Sequence, residues 1–190
     1  ISLTVSDTPL TGVTVRLSAI ATMKGRIILE PDPSKLAPAT PPFLSPVLDP
    51  VSGQTAMGMP RGRFLARGSL DFEMPGIQPG EYWIRVTGAA WLTKSVQWRG
   101  REYVDTPIDT TGVDDLAGVV ITMTNAVPEL TGTVRLAGGS TLPAGLVIAF
   151  PAEPNQRINT GFAPTRIKSA PLQSNGVYRF ASLPAGTYFV

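Results

Sequence analysis

The chain has 190 residues, 43% of them hydrophobic, which is enough apolar material for one or two folded cores. It contains neither cysteine nor histidine, which excludes disulfides, thiolate catalysis, cysteine–zinc sites, and histidine as a general base or metal ligand. Its net charge of +2, from 16 basic and 14 acidic residues, is too small to indicate a nucleic-acid surface.

Apolar and polar residues alternate along most readable segments, a pattern typical of strands with one buried face. In chain order, the alternating segments are 13–17, 27–29, 82–86, 119–123, 134–136, 146–150, 178–180 and 188–190. The 19 glycines and 19 prolines are spread along the chain and interrupt any helix of ten or more residues. We therefore predict an all-β fold of the sandwich type.

Two long stretches, 31–62 and 151–171, depart from this alternation because they are rich in proline, glycine and small residues. The first predicts an edge strand near 43–48 followed by a long loop. Proline–glycine turns are predicted at 74–80 and 183–186, each directly before a strand, because proline presets the first turn residue and glycine accepts a positive φ.

Three glycines recur, with their surroundings, about 107 residues further along the chain. The pairs are Gly12 and Gly118, Gly25 and Gly132, and Gly80 and Gly186. One shared spacing predicts a tandem array of modules. Residues 1–18 are then the terminal strand of a preceding or partner-chain module, 19–125 a complete sandwich, and 126–190 a second module that stops before its last strands. We expect a piece of a longer array, with strand exchange between subunits as the alternative.

The stretches MKGRIIL, FEMPGIQPGEYWIRV, WLTKSVQWRGREYVDTPID and DDLAGVVITMT resemble bacterial carboxypeptidase regulatory-like domains. These domains are transthyretin-like (prealbumin-like) sandwiches, related to the B-type repeats of surface adhesins. The resemblance implies tandem seven-stranded, Ig-like sandwiches joined end to end, in a secreted or cell-surface protein. It also implies a supporting role, and it carries over no catalytic residue.

A group of four aspartates is the best candidate for a metal site, because Ca²⁺ prefers carboxylate and carbonyl oxygens from loops. Its members are Asp105, Asp109, Asp114 and Asp115. Their spacing matches no known calcium loop, so an ordinary solvated loop is the competing interpretation.

Aromatic residues suggest a second candidate site, a platform on which sugar rings stack. Trp91, Trp98 and Tyr103 are its predicted members. Trp83 alternates out of phase with the inward residues of its strand, which places it on the other sheet face or near a module junction. Packing at sandwich ends or between modules is the alternative for all of these rings.

The sequence thus favours a non-catalytic, cofactor-free structural array that forms a stalk, spacer or extracellular fibre. Its expected partners are neighbouring modules of the same chain or copies of itself, with polysaccharide as a further possibility. The alternatives are a carbohydrate-binding module, or an accessory domain beside a catalytic domain elsewhere in a longer chain. We expect no nucleic-acid partner, and no stretch of this sequence has the length and apolarity of a membrane span.

Overall fold

The computed structural model describes residues 7, 11–14, 19–35, 43–53, 58–88, 91–136, 138 and 144–190. These residues form fourteen strands and one 3-10 turn, at Pro154–Gln156, which confirms the all-β prediction. The strands are β1 (Ala21–Glu30), β2 (Leu44–Pro50), β3 (Arg63–Phe64), β4 (Asp71–Ile77), β5 (Glu81–Gly88), β6 (Leu92–Trp98), β7 (Arg101–Glu102), β8 (Ile108–Asp109), β9 (Asp115–Thr124), β10 (Leu130–Thr133), β11 (Leu146–Pro151), β12 (Lys168–Pro171), β13 (Val177–Phe180) and β14 (Tyr188–Phe189). The strand predicted within 1–18 lies mostly outside the described residues, and 7 and 11–14 are not in a strand.

Strands β1–β9 form what we call the first β unit, in which two sheets enclose one core. One sheet has the order β3-β4-β1-β9-β6-β7 and the other β2-β5-β8, and β1 runs parallel to β9. Alternate residues of both sheets meet in the core, among them Met23 and Ile27 of β1, Leu48 of β2 and Ile84 of β5. The apolar residues of the alternating pattern therefore form the buried side of the two sheets, as the sequence predicts.

Strands β10–β14 form the second β unit, which is smaller. Its sheets are the pair β10-β13 and the three-stranded β12-β11-β14. A small core joins them through Ala149, Ala170, Phe180 and Leu183. Within the described residues, every sheet is made of strands from a single unit, so no sheet continues from one unit into the other.

The proline–glycine segment at 74–80 differs from its predicted turn. Strand β4 continues through Pro75 and Gly76 to Ile77, and the register of its pairing with β1 shifts beside them. Gly76 has φ +79°, a left-handed conformation that glycine adopts without a steric penalty. Because proline cannot donate a ladder hydrogen bond, this pair forms an irregularity within the strand, and the chain reverses only at 78–80.

Candidate functional site at the junction of the two units

The outer face of the β2–β5 ladder carries an aspartate and an arginine that are both almost fully buried. Asp49 is 2% exposed and Arg85 is 3% exposed. Arg85 lies next to Trp83 on this face, with its guanidinium carbon 5.6 Å from the centroid of the indole ring. Tyr82 and Ile84 point to the opposite side, into the core of the first unit. Strand β5 is therefore buried on both faces, unlike a strand with one solvated side.

A loop of the second unit, residues 152–167, supplies the groups that cover these charges. The Arg85 guanidinium donates to Asp49 Oδ2 at 3.3 Å, to the side-chain Oδ1 of Asn159 at 2.5 Å, and to the main-chain oxygen of Thr160 at 2.5 Å. The main-chain N–H of Phe162 donates to Asp49 Oδ2 at 2.8 Å. Both charges thus receive partners from the other unit, as buried charges require.

Asn159 is held in one orientation by its remaining hydrogen bonds. Its Nδ2 donates to the main-chain oxygen of Val104, in the first unit, and to Thr165 Oγ1, both at 3.1 Å. Because the amide oxygen accepts from Arg85 while the amide nitrogen donates to Val104, one side chain joins two parts of the first unit. We call Asp49, Arg85 and Asn159 the junction cluster.

The electrostatics of the junction cluster follow from its burial. Burial lowers the pKa of Arg85 from its usual value, and the nearby Asp49 carboxylate acts against that shift. Burial likewise lowers the pKa of Lys168 at the start of β12, and the positive charge of Arg85 lowers it further. The second unit therefore brings a cation towards a buried cation, a cost that the paired contacts of Asp49 must offset.

Gly161 lies where the loop backbone passes close to the Asp49 carboxylate. It has φ +93°, and a Cβ at this position would lie 2.4 Å from Asp49 Oδ2. At a distance below 3.0 Å, either the loop or the Asp49 carboxylate would have to move. Glycine is therefore the residue that fits at this position of the loop.

A second ion pair between the units involves one of the predicted metal ligands. Arg166 Nε lies 2.9 Å from Asp105 Oδ2, and its Nη1 donates to the main-chain oxygen of Ala185 at 3.1 Å. Asp105 therefore serves as an inter-unit partner in this structure.

The other three predicted metal ligands lie apart from this pair. The Asp109 carboxylate accepts the main-chain N–H of Thr111 at 2.8 Å, and hydrogen bonds from Thr111 lower the pKa of Asp109. Asp114 contributes its main-chain oxygen to β1, and Asp115 begins β9. Across the described ranges of the chain, no three acidic side chains lie close enough together to bind a metal ion. The arrangement of these aspartates therefore does not support the predicted calcium site.

The three predicted stacking aromatics do not share one surface. Trp98 and Tyr103 lie together, with ring centroids 6.2 Å apart, but both are buried in the core of the first unit. The Trp98 indole Nε1 also donates to the main-chain oxygen of Ala117 at 3.1 Å. Trp91 is half-buried, packs against the same core, and lines a pocket of about 260 Å³ at the junction, together with Arg85 and Lys168.

A larger cavity of about 500 Å³ lies beside the connection between the units. Two ion pairs border it, Arg166 with Asp105 and Lys94 with Glu30, the latter with Nζ 2.5 Å from Oε2. Its prolines are Pro31, Pro33, Pro128 and Pro184. Prolines limit backbone freedom on both sides of the cavity, which favours a fixed angle between the units.

No protein-family model, curated protein or solved structure matches this chain. In the part of the chain that the structure describes, no helix has the length and apolar character needed to cross a bilayer.

Proposed function

We propose that this chain is a non-catalytic structural segment of a secreted or cell-surface protein, in which similar β units are joined in series as a stalk, spacer or extracellular fibre. The single observation that carries this proposal is the junction cluster. Six hydrogen bonds converge there on side chains that are nearly or fully buried, and four of them cross between the two units. Such a junction transmits orientation from one unit to the next.

Strand pairing supports the proposal that the two units are copies of one module. Gly25 of β1 pairs with Phe72, and Gly132 of β10 pairs with Tyr178. In both units a Cβ on the glycine would collide with the aromatic ring of the paired residue. Each aromatic ring therefore packs directly on the glycine backbone. Gly25 and Gly132, and likewise Phe72 and Tyr178, are separated by about 107 residues, which is the spacing that the sequence predicts.

A second correspondence lies on the other sheet of each unit. Pro50 pairs with Tyr82, and Pro151 pairs with Tyr188. Each tyrosine hydroxyl donates to the main-chain oxygen four residues earlier, at 3.1 Å and 2.8 Å respectively. The same residue types thus make the same pairing and the same local hydrogen bond in both units.

The transthyretin-like description is part of this proposal. The described sheets of the first unit contain six and three strands, β3-β4-β1-β9-β6-β7 and β2-β5-β8, and three of these nine strands (β3, β7 and β8) are only two residues long. Seven strands in two sheets are what the resemblance to carboxypeptidase regulatory-like domains implies. In that family the module supports other domains, which agrees with a mechanical role here.

The mechanism follows from how buried charges behave. A hydrogen bond to a charged group contributes about 1.5–3 kcal/mol. A rotation of the second unit would separate Arg85 from Asn159 and Thr160, and Asp49 from the Phe162 N–H, while the Arg85–Asp49 pair itself remains within the first unit. The cluster therefore opposes changes in the angle between the units more strongly than an apolar contact of the same size, which tolerates sliding.

The test compares the shape of the chain in solution before and after the cluster is broken. We expect Arg85→Ala to increase the radius of gyration and the interdomain flexibility measured by small-angle X-ray scattering. Arg63→Ala is the matched control, because Arg63 forms an exposed ion pair with Glu73 within the first unit. Unchanged scattering for Arg85→Ala in a folded protein would refute rigid coupling, and electron microscopy of native material would show whether filaments exist.

Carbohydrate binding is the second candidate, and the junction pocket around Trp91 favours it. Trp91, Arg85 and Thr93 line this pocket, and an aromatic face beside polar groups suits a sugar ring. We expect any polysaccharide binding to be lost in Trp91→Ala. Because Trp98 lies in the core, Trp98→Ala should lower stability without selectively removing binding.

A further inference from the structure

The polar groups that line the junction pocket around Trp91 come from both units. They are two cationic side chains and four that carry a hydroxyl group, namely Arg85, Lys168, Thr87, Thr93, Thr165 and Ser182. No carboxylate side chain is among the described residues that line this pocket. A pocket whose charged groups are all cations concentrates anions from solution.

The two cations differ in how far their charge is already compensated. Arg85 is paired with Asp49 at 3.3 Å, within the first unit. Lys168 is half-buried and donates from Nζ to the main-chain oxygen of Pro164 at 2.9 Å. Among the described residues, no carboxylate forms an ion pair with Lys168. Lys168 therefore brings to the pocket an uncompensated charge, and its ammonium group has further N–H donors beyond the one that Pro164 accepts.

Hydroxyl groups of the second unit add to this donor capacity. Thr165 Oγ1 accepts the hydrogen bond from Asn159 Nδ2 at 3.1 Å, so its own O–H is left to donate. Ser182 is half-buried at the same pocket and carries another O–H donor. Donors near a cation favour a ligand that accepts several hydrogen bonds and carries negative charge, as a carboxylate does.

The stability cost of Lys168 is an independent argument for a ligand. Burial and the charge of Arg85 both lower the pKa of Lys168, so its charged form destabilises the folded protein. Its hydrogen bond to Pro164 is local, four residues along the chain, and joins no other part of the fold to it. A cation that lines a pocket at a cost in stability is typical of a binding site.

Shape and aromatic chemistry narrow the class of ligand. Trp91 is half-buried and lines the pocket, and an indole ring has a broad apolar face. Pockets for drug-sized ligands measure about 300–1,000 Å³. At about 260 Å³, the junction pocket suits a single ring.

We propose that the junction pocket binds a uronic acid, a sugar ring that carries a carboxylate, which rests on the carbohydrate-binding function proposed above. The carboxylate accepts hydrogen bonds from Lys168, Thr165 and Ser182, and the sugar ring packs on Trp91. Because Trp91 belongs to the first unit and Lys168 to the second, the bound ligand also stabilises the junction between them.

The experiment is an NMR titration of the 190-residue chain with sodium glucuronate, followed through the indole N–H signals. The chain has three tryptophans, so the Trp91 signal is the one that is missing from the spectrum of Trp91→Ala. We expect this signal to shift and saturate with glucuronate. Glucose has the same kind of ring without the carboxylate, and we expect it to bind at least about tenfold more weakly, because the charge-assisted hydrogen bonds are lost.

Lys168→Met removes the charge and keeps a side chain of similar length. It should weaken glucuronate binding at least about tenfold and leave any glucose binding unchanged. Lys94→Met is the matched control, because Lys94 is an exposed lysine that pairs with Glu30 and does not line this pocket. It should bind glucuronate as the wild type does.

Three outcomes would overturn the proposal. Glucose that binds as tightly as glucuronate would leave carbohydrate binding in place but refute the acidic class. Acetate that shifts the Trp91 signal with the affinity of glucuronate would show an anion site that ignores the sugar ring. Binding of neither sugar would refute the carbohydrate candidate as well, while the scattering test of the structural function would be unaffected. These comparisons use the wild type, so they hold even if a variant fails to fold.

Discussion

Gly161→Ala is the sharpest test of the junction cluster, because glycine is required there for two separable reasons. Its φ of +93° is a left-handed conformation, and a Cβ would lie 2.4 Å from Asp49 Oδ2. Gly112 provides the matched control. It has φ +70°, but a Cβ there would meet nothing within 4 Å, so Gly112→Ala carries the backbone cost alone.

The magnitudes can be worked from these contacts. A left-handed alanine costs roughly 1–2 kcal/mol, and this applies to both substitutions. At Gly161 the carboxylate of Asp49 must also move away, which breaks the hydrogen bond from the Phe162 N–H. A hydrogen bond to a charged group contributes about 1.5–3 kcal/mol. We therefore expect Gly161→Ala to cost roughly 2.5–5 kcal/mol in the free energy of unfolding of the second unit.

The assay is urea unfolding followed by the amide signals of the unit that carries each substitution, for both variants, with Gly161→Ala also measured in an Asp49→Ala background. If the clash with Asp49 is responsible, Gly161→Ala should cost less once Asp49 is alanine, so the double-mutant cycle should show coupling. Equal losses from Gly161→Ala and Gly112→Ala, with no coupling to Asp49, would refute the argument that the loop is fitted to this carboxylate.

Three further predictions concern other parts of the fold. Gly25→Ala should lower the melting temperature of the first unit more than Gly132→Ala lowers that of the second, as thermal melts of both variants can show. At Gly25 the new Cβ would lie 2.3 Å from the main-chain oxygen of Val119, which is fixed in the sheet. At Gly132 it would lie 2.2 Å from the hydroxyl of Tyr178, a side chain that can move. Glu102→Gln should cost about 1–3 kcal/mol by chemical denaturation, because its carboxylate accepts three main-chain N–H groups at the β6–β7 hairpin. Lys168→Met should raise the melting temperature at pH 7. Burial and the charge of Arg85 lower the pKa of Lys168 in the folded protein. The charged ammonium group of Lys168 therefore destabilises the folded state relative to the unfolded chain. That penalty is complete below the folded pKa and fades as the pH rises towards the usual lysine value, so the advantage of Lys168→Met should shrink in alkaline melts.

The sequence predicts the fold class because alternation is a local property. The alternation of apolar and polar residues along a strand shows which side chains point to the same side. Ile84 lies in the core of the first unit, as that pattern requires. The same pattern places Trp83 on the opposite face or near a junction, and the structure places it on that face beside Arg85. The sequence predicts a turn over 74–80, but Pro75 and Gly76 lie in an irregularity within β4, and the bend follows at 78–80. Sequence alone does not separate the two, because a bulge inside a strand uses the same residue types as a turn.

The junction cluster could not be predicted in the same way. Asp49 and Arg85 carry the charges that normally mark a solvated strand face, and nothing local shows that a loop more than seventy residues away covers them. The available signal is the stretch 82–85, in which an aromatic and an arginine alternate with two core residues. A tryptophan next to an arginine on the outer side of a strand indicates a covered face, but it does not identify the covering segment.

Polar rather than apolar contacts at the junction have a physical explanation. Inside one chain, the connection between the units holds the second unit near the first at a high effective concentration, so the junction needs little intrinsic affinity. Polar groups such as Asp49, Arg85 and Asn159 suit that contact, because they fix orientation even though their desolvation offsets much of their attraction.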